Sequence, residues 1–190
     1  MTGQLRANGM RQIRSRAGGT ISLLVLTFGA GTLALALVAS WAGLRFNDSP
    51  SMPTGLYVRT SSESNTSLVV FCPVEPFARS SVERGYRSRG NCRDGAEPLA
   101  KPIAARPADV VELSAKGMSV NGRLLPNTEP LVMDTAGRPL PHWPFGKYVV
   151  APGTLWVASS YNPRSFDSRY FGPVKESQVR EHVRPLLKAH

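Results

Sequence analysis

A long apolar segment occupies the N-terminal quarter of the chain. No charged residue occurs between Arg16 and Arg45, and residues 21–44 are rich in Leu, Val and Ala. Such a stretch exceeds the ~20 residues that cross ~30 Å of hydrocarbon, and it lacks the polar face of a soluble helix. The pattern predicts a transmembrane anchor over residues 20–44. A signal peptide cleaved near residues 38–40 is the alternative.

Positive charges precede this segment, and no acidic residue accompanies them. The cytoplasmic flanks of membrane helices carry an excess of Lys and Arg. We therefore predict a basic cytoplasmic N-terminus over residues 1–19 and an exported domain over residues 45–190. That domain, of about 145 residues, is large enough for one hydrophobic core. The charges are those of Arg6, Arg11, Arg14 and Arg16.

After residue 50, short apolar runs alternate with turn residues, a pattern typical of β-strands. Strands are expected within residues 67–71, 109–113, 118–125, 147–150 and 154–158. Asn121-Gly122 is a strong hairpin signal inside the third of these. The last two are expected to pair with each other across a turn at residues 151–153.

The fold class is therefore predicted as mostly β, with a single N-terminal transmembrane helix followed by a compact antiparallel β-domain. The sixteen prolines all lie in this domain and disfavour long helices. Residues 180–187 could form a short C-terminal helix, although Pro185 argues against it. The polar, basic stretch at residues 78–98 indicates a surface excursion.

Two cysteines, Cys72 and Cys92, fall in the predicted exported domain. An even number of cysteines in an oxidising compartment favours a disulfide. It would tie down the surface excursion. Two free thiols are the alternative.

The net charge is +10, of which the four N-terminal arginines contribute +4. The +6 that remains in the predicted exported domain suits an anionic membrane face or an acidic partner. A solvated basic surface explains it equally well. The chain shows no aromatic–basic motif of a nucleic-acid-binding domain, so no nucleic-acid partner is expected. Histidines and cysteines lack metal-ligand spacing, and neither a metal nor an organic cofactor is expected.

Ser51 is the candidate nucleophile because of its position. It lies seven residues after Leu44, at most roughly 25 Å of extended chain, and would stay at the membrane surface. A serine nucleophile needs a base. His182 and His190 lie in the charged C-terminal tail, whereas His142 lies in a proline-rich loop. A Ser-His-Asp triad through His142 is one alternative.

A lysine is the other candidate base. It must be neutral to accept a proton, and burial lowers the pKa of a lysine because it disfavours the ammonium. Of the five lysines, Lys101 lies in an apolar run, at residues 98–105, with no other charge before Arg106. This pattern fits a buried lysine and a surface lysine on an edge strand about equally.

Four segments resemble, in order, the sequence boxes of bacterial type I signal peptidases. They are residues 51–57, 68–71, 101–111 and 165–174. Together they cover nearly the whole predicted exported domain. Within that family the chain is most similar to the conjugative-transfer, TraF-type branch. That resemblance implies a serine-type signal peptidase of the bacterial inner membrane, with its catalytic domain in the periplasm.

The resemblance also implies a role for each matching residue. Ser51 would attack the scissile carbonyl, Lys101 would act as its base, and Ser165 would orient the lysine amine. Asp167 and Arg169 would form a supporting ion pair, for which a purely structural salt bridge is the alternative.

The oxyanion would be held by the backbone N–H of Ser51 and by the hydroxyl of Ser49, for which a turn cap is the alternative. Three departures from the family pattern bear on this assignment. Pro50 and Ala108 stand where relatives have glycine, and residues 159–162 replace a Gly-Asp-Asn lead.

The substrate implied by the resemblance is a membrane-bound precursor protein, which would be cleaved at the surface of the lipid bilayer. In this branch it is a conjugative propilin, which some members also cyclise. Two other functions compete with this one. One is a sortase-like cysteine transpeptidase, which needs a reduced cysteine near His142. The other is a non-enzymatic envelope component of a conjugation or secretion channel.

Overall fold

The computed structural model describes residues 25–47, 49–61 and 68–188. The chain divides into two compact units, Met1–Leu44 and Arg45–His190. In the first unit, residues 25–41 are helical and form α1. No helix within the described ranges is long and apolar enough to cross a membrane. The predicted cytoplasmic stretch 1–19 and the start of the predicted anchor, residues 20–24, lie outside the described residues.

The rest of the described chain consists mainly of short strands. In chain order these are β1 (Leu44–Asn47), β2 (Gly55–Thr60), β3 (Leu68–Phe71), β4 (Leu99–Ala105), β5 (Val110–Ser114), β6 (Gly117–Val120), β7 (Arg123–Leu124), β8 (Gly146–Val149), β9 (Thr154–Val157), β10 (Val174–Lys175) and β11 (Val179–Lys188). The short helices are α2 (Phe77–Glu83) and α3 (Ser168–Phe171), and a 3-10 turn spans Glu176–Gln178.

The strands form two antiparallel sheets. One has seven strands in the order β1-β2-β11-β3-β4-β9-β10, and the other has four in the order β7-β6-β5-β8. Their strand pairs run antiparallel. The prediction of a mostly β, antiparallel domain is confirmed.

Three groups of buried apolar side chains stabilise these sheets. The first joins the two sheets through Val111, Met118 and Trp156. The second packs Phe71 and Phe171 between the seven-stranded sheet and α3. The third lies beneath the start of β2, and its members are Met52, Tyr57, Leu68 and Val183. Each fully buried side chain of this size contributes about 1.5–3 kcal/mol. The third group therefore anchors the segment that carries Ser51.

The predicted hairpin at Asn121-Gly122 is confirmed. Both residues have positive φ, 50° for Asn121 and 81° for Gly122, as a two-residue turn of this type requires. The Asn121 side chain also accepts a hydrogen bond from the Val110 N–H, at 2.8 Å. The turn therefore fixes the register of β6 on β5.

The predicted pairing of residues 147–150 with 154–158 is wrong, although both strands exist. β8 pairs with β5 in the four-stranded sheet, whereas β9 pairs with β4 and β10 in the other sheet. The turn between them carries the chain from one sheet to the other. Val150 ends β8 by exchanging hydrogen bonds with Ala108 and Asp109 of the facing loop.

The suggested C-terminal helix over residues 180–187 is also wrong. These residues belong to β11, which lies between β2 and β3 and pairs with both. Pairing on two sides satisfies the backbone polar groups that a helix would satisfy internally. Pro185 lies where the register on β2 shifts, a place where a missing N–H is tolerated in a sheet.

The surface excursion at residues 78–98 includes all of α2 except its first residue. A disulfide joins Cys72 to Cys92 with a Cα–Cα distance of 5.8 Å. The excursion also has a polar interior. Arg87 is buried and pairs with Asp94, and its Nε donates to the Glu97 carbonyl at 2.7 Å. The hydrogen bond from Arg87 lowers the pKa of Asp94.

Removing the disulfide is expected to destabilise this domain. In the chain-entropy account, a loop of about twenty residues is worth about 3 kcal/mol. The double variant Cys72→Ala/Cys92→Ala should lower the denaturant midpoint accordingly, as followed by tryptophan fluorescence in urea. Wild-type protein kept under reducing conditions should show the same loss. An unchanged midpoint in both samples would contradict the expectation.

Candidate active site

Ser51 lies in a tight loop between β1 and β2. The Asn47 side chain donates to the carbonyls of Ser49 and Pro53, at 3.1 and 3.3 Å. The Tyr57 hydroxyl donates to the same Pro53 carbonyl at 2.6 Å. These contacts hold the loop from both of its flanking strands. Ser51 itself is 8% exposed, so its hydroxyl is largely withdrawn from solvent.

Lys101 lies on β4, where it is opposite the buried Val69 of β3. Its exposed fraction is 4%. Of the two alternatives left open by the sequence, a buried lysine and a surface lysine on an edge strand, the structure therefore shows the buried lysine. Lys101 Nζ lies 2.7 Å from Ser51 Oγ and 3.0 Å from Ser165 Oγ. The strand therefore brings together three side chains that are far apart in sequence.

The pKa of Lys101 is lowered to about 8. Burial is the main cause, because it disfavours the ammonium form. The carboxylate of Asp167 raises the pKa, and the guanidinium of Arg169 lowers it. With this pKa, about a tenth of the amine is neutral at pH 7, and the neutral form is the one that a general base requires. In that form Ser51 can donate its proton to Nζ, while an amine N–H donates to Ser165.

Asp167 and Arg169 form a bidentate ion pair in the interior. Nε lies 2.8 Å from Oδ1, Nη2 lies 2.9 Å from Oδ2, and both side chains are 0% exposed. Arg169 also donates to the Ser165 carbonyl at 2.9 Å. Because bidentate pairs fix geometry as well as charge, this pair holds the backbone that carries the Ser165 hydroxyl.

Further donors of Arg169 reach the surrounding loops. Nη1 donates to the carbonyls of Glu129 and Pro163, both at 3.1 Å, and to that of Asn127 at 3.4 Å. Asp167 caps α3 by accepting the Arg169 backbone N–H at 3.2 Å. The pair therefore joins the segment at residues 162–169 to the loop at residues 127–129.

The Ser49 hydroxyl acts as a hydrogen-bond acceptor in this structure, whereas the predicted role in the oxyanion site needs it as a donor. The Ser51 N–H donates to Ser49 Oγ, at the long distance of 3.4 Å, and the Met52 N–H donates to the Ser49 carbonyl. Ser49 thus caps the nucleophile loop in this structure. An incoming carbonyl oxygen could take over the Ser51 N–H, and the role of Ser49 as an oxyanion donor stays a prediction.

The histidine alternative has a different geometry. His142 is exposed, its ring stacks on Phe145 at 4.0 Å between centroids, and Nδ1 lies 2.7 Å from the Trp143 carbonyl oxygen. His182 lies in β11, and His190 lies outside the described residues. The base at hydrogen-bond distance from Ser51 Oγ is Lys101.

Ser159 is a residue of this site that the sequence reasoning did not select. It lies two positions after the end of β9 and is 0% exposed. Its hydroxyl donates to the Ser51 carbonyl at 2.6 Å, and its N–H donates to Asp167 Oδ2 at 3.1 Å. The only sequence signal was the departure from the family pattern at residues 159–162.

The cysteines are not available for a sortase-like reaction. The chain has two cysteines, and both are in the disulfide. No thiol is left to act as a nucleophile, so the transpeptidase alternative is wrong. Within the described part of the chain, no group of three or more His, Cys, Asp or Glu side chains could hold a metal ion.

Comparison with known proteins identifies the family of this chain. The family described as signal peptidase, peptidase S26, matches residues 19–186. The chain belongs to this family.

Two similar proteins are both named TraF. The chain is 35% identical over 175 residues to a plasmid transfer protein TraF of Escherichia coli, covering 91% of this chain and 98% of the relative. It is 37% identical over 176 residues to a conjugal transfer protein TraF of Agrobacterium tumefaciens (strain 15955), covering 89% and 97%. The resemblance to signal peptidases and to their TraF-type branch is confirmed.

Among solved structures, a signal peptidase I from Enterococcus faecalis V583 matches with a TM-score of 0.35 and 19% identity. The match covers 64% of this chain and 97% of that one.

Proposed function

We propose that the chain is a membrane-anchored serine endopeptidase that cleaves an exported precursor with a Ser51–Lys101 dyad. One observation carries this proposal: the buried amine of Lys101, with a pKa of about 8, lies 2.7 Å from Ser51 Oγ. Family membership supports the peptidase class. A non-enzymatic envelope component has no need for a lysine whose burial disfavours its own charge.

The reaction follows from these positions. Neutral Lys101 accepts the proton of Ser51 as Oγ attacks the scissile carbonyl, and the resulting ammonium then protonates the leaving amine. The Ser165 hydroxyl orients the amine throughout. The backbone N–H of Ser51 stabilises the oxyanion, with Ser49 as the proposed second donor. Water, or an amine of the substrate itself, then releases the acyl group from Ser51.

The proposed substrate is a conjugative pilin precursor held at the bilayer. Two relatives that match along nearly their whole length are named as plasmid or conjugal transfer proteins, which supports a role in conjugation. The apolar segment before Arg45 and the arginines before it support an anchor in the inner membrane with the β-domain in the periplasm.

Mass spectrometry of a co-expressed pilin precursor tests this function. Wild-type protein should produce a pilin shortened by its leader, and Ser51→Ala should leave the precursor intact. The matched control is Ser61→Ala, an exposed serine beyond β2, which should process normally. A mass lower by one further water would indicate that a substrate amine resolves the acyl-enzyme. Full processing by Ser51→Ala would favour the non-enzymatic alternative.

The pH dependence of cleavage should report the state of Lys101. Because the neutral amine is the base, the rate should rise with pH and level off, with a midpoint near the Lys101 pKa of about 8. Asp167 raises this pKa, so Asp167→Asn should move the midpoint to lower pH. Glu112→Gln, at an exposed position on β5, should leave it unchanged. A midpoint that stays or rises in Asp167→Asn would contradict the assignment.

A further inference from the structure

The Ser51 carbonyl has a dedicated partner inside the protein. Ser159 is 0% exposed, and its hydroxyl donates to that carbonyl at 2.6 Å. The oxygen of the Ser159 hydroxyl, Oγ, also accepts hydrogen bonds from the backbone N–H groups of Tyr161 and Asn162, at 3.2 and 3.4 Å. Because these two N–H donors occupy the lone pairs of Ser159 Oγ, the hydroxyl proton is directed at the Ser51 carbonyl. The loop therefore keeps the Ser159 hydroxyl proton directed at the Ser51 carbonyl.

Ser159 is itself held by the interior ion pair. Its N–H donates to Asp167 Oδ2 at 3.1 Å, and that carboxylate is fixed by Arg169. A chain of hydrogen bonds thus runs from Arg169 through Asp167 and Ser159 to the nucleophile. It reaches Ser51 through the backbone, whereas Lys101 reaches it through the side chain.

The other backbone group of Ser51 is poorly restrained. Among the residues that the structure describes, its N–H contacts Ser49 Oγ at the long distance of 3.4 Å, and in the proposed reaction that N–H is needed for the oxyanion. The carbonyl carbon and Cβ are bonded to the same Cα. Holding the carbonyl therefore limits movement of the backbone and of the Cβ that carries Oγ. A displacement of the order of 1 Å at a reacting atom can cost about 100-fold in rate.

We propose that Ser159 is a positioning residue that directs Ser51 Oγ toward Lys101 by holding the Ser51 carbonyl. This proposal rests on the proposed function and adds a residue to that site. The carboxylate of Asp167 then has two effects: its charge acts on the lysine, and its hydrogen bond to Ser159 acts on the nucleophile. These effects can be separated, because removing the Ser159 hydroxyl leaves every charge in place.

The test compares three variants of the full chain in detergent with a purified pilin precursor. Ser159→Ala should lower kcat by about 10- to 100-fold while KM changes less than about twofold, because the hydroxyl touches the nucleophile and not the substrate. The pH midpoint of the rate should match that of the wild type. Ser159→Thr, which keeps the hydroxyl, should recover most of kcat. Ser160→Ala, at the adjacent serine, should behave as wild type.

Each outcome decides for or against the proposal. A wild-type kcat in Ser159→Ala would overturn it, and so would a shifted pH midpoint, which would place the effect on Lys101. Ser159→Ala protein that is unfolded at the assay temperature, judged by circular dichroism, would make the hydroxyl structural and would also overturn it. The proposed function fails separately, if wild-type protein does not cleave the precursor or if Ser51→Ala cleaves it.

Discussion

Lys101→Met should abolish cleavage while leaving the domain folded. Methionine has a similar length and an unbranched stem, so it can fill the space on β4, but it cannot accept the Ser51 proton. Loss of a general base of this kind costs about 100- to 10,000-fold, and the rate should fall at every pH. Initial rates on a precursor peptide, with circular dichroism of the same samples, measure both effects.

The same substitution should not reduce stability at neutral pH. The fall in the Lys101 pKa from 10.5 to about 8 corresponds to about 3 kcal/mol, which burial of the ammonium costs the fold. The cost is complete below pH 8 and disappears as the pH rises toward 10.5, because only the unfolded chain is then protonated. Methionine removes the cost, although the two serine hydroxyls lose their partner. The free energy of unfolding at pH 7 should therefore be equal to or greater than that of the wild type.

Lys147→Met is the matched control, because Lys147 is exposed on β8 and should affect neither rate nor pH profile. Cleavage by Lys101→Met at the wild-type rate would refute the dyad. A large loss of stability would show instead that the amine is needed to hold the fold together.

Arg169→Leu should destabilise the domain more than any other substitution considered above. It leaves the Asp167 carboxylate buried without its partner, and it removes donors from the carbonyls of Glu129 and Ser165. Breaking a buried pair in this way costs about 3–5 kcal/mol, which lowers Tm by about 10 °C or more in a domain of this size. Thermal unfolding followed by circular dichroism measures the effect.

Three further variants make this result specific: Arg164→Leu, the single variant Asp167→Leu, and Asp167→Leu combined with Arg169→Leu. Arg164→Leu changes an exposed arginine in the same segment and should leave Tm nearly unchanged. The double variant Asp167→Leu/Arg169→Leu removes both charges, so it should be more stable than the sum of the two single variants implies. If the single and double effects add, the ion pair is not the reason for the destabilisation.

The two residues of the proposed dyad could be selected from the sequence because each has a local signature. Ser51 follows an apolar segment at a fixed distance, and Lys101 is the lysine of an apolar run. The burial of Lys101 could not be decided locally, because an edge strand and a central strand have the same pattern. It depends on β3 and β9 flanking β4, and these strands are distant in sequence.

The errors have the same origin. The predictions for residues 180–187 and for the strands around residue 151 rest on neighbours in sequence, whereas the partners of these strands come from other parts of the sheets. Ser159 escaped notice for a related reason. A serine after an apolar strand has no distinctive pattern. The importance of Ser159 comes from its hydrogen bond to the Ser51 carbonyl, which lies 108 positions earlier in the sequence.

The register of β3 on β4, with Val69 opposite Lys101, has a consequence for how this site can diverge. Successive side chains of a strand point to opposite faces, so one residue inserted or deleted in β4 ahead of Lys101 would turn the amine away from Ser51. Loops that carry none of the site residues can grow or shrink without such an effect. Descendants of this chain can therefore vary in loop length, but the spacing of this strand is expected to persist wherever cleavage does.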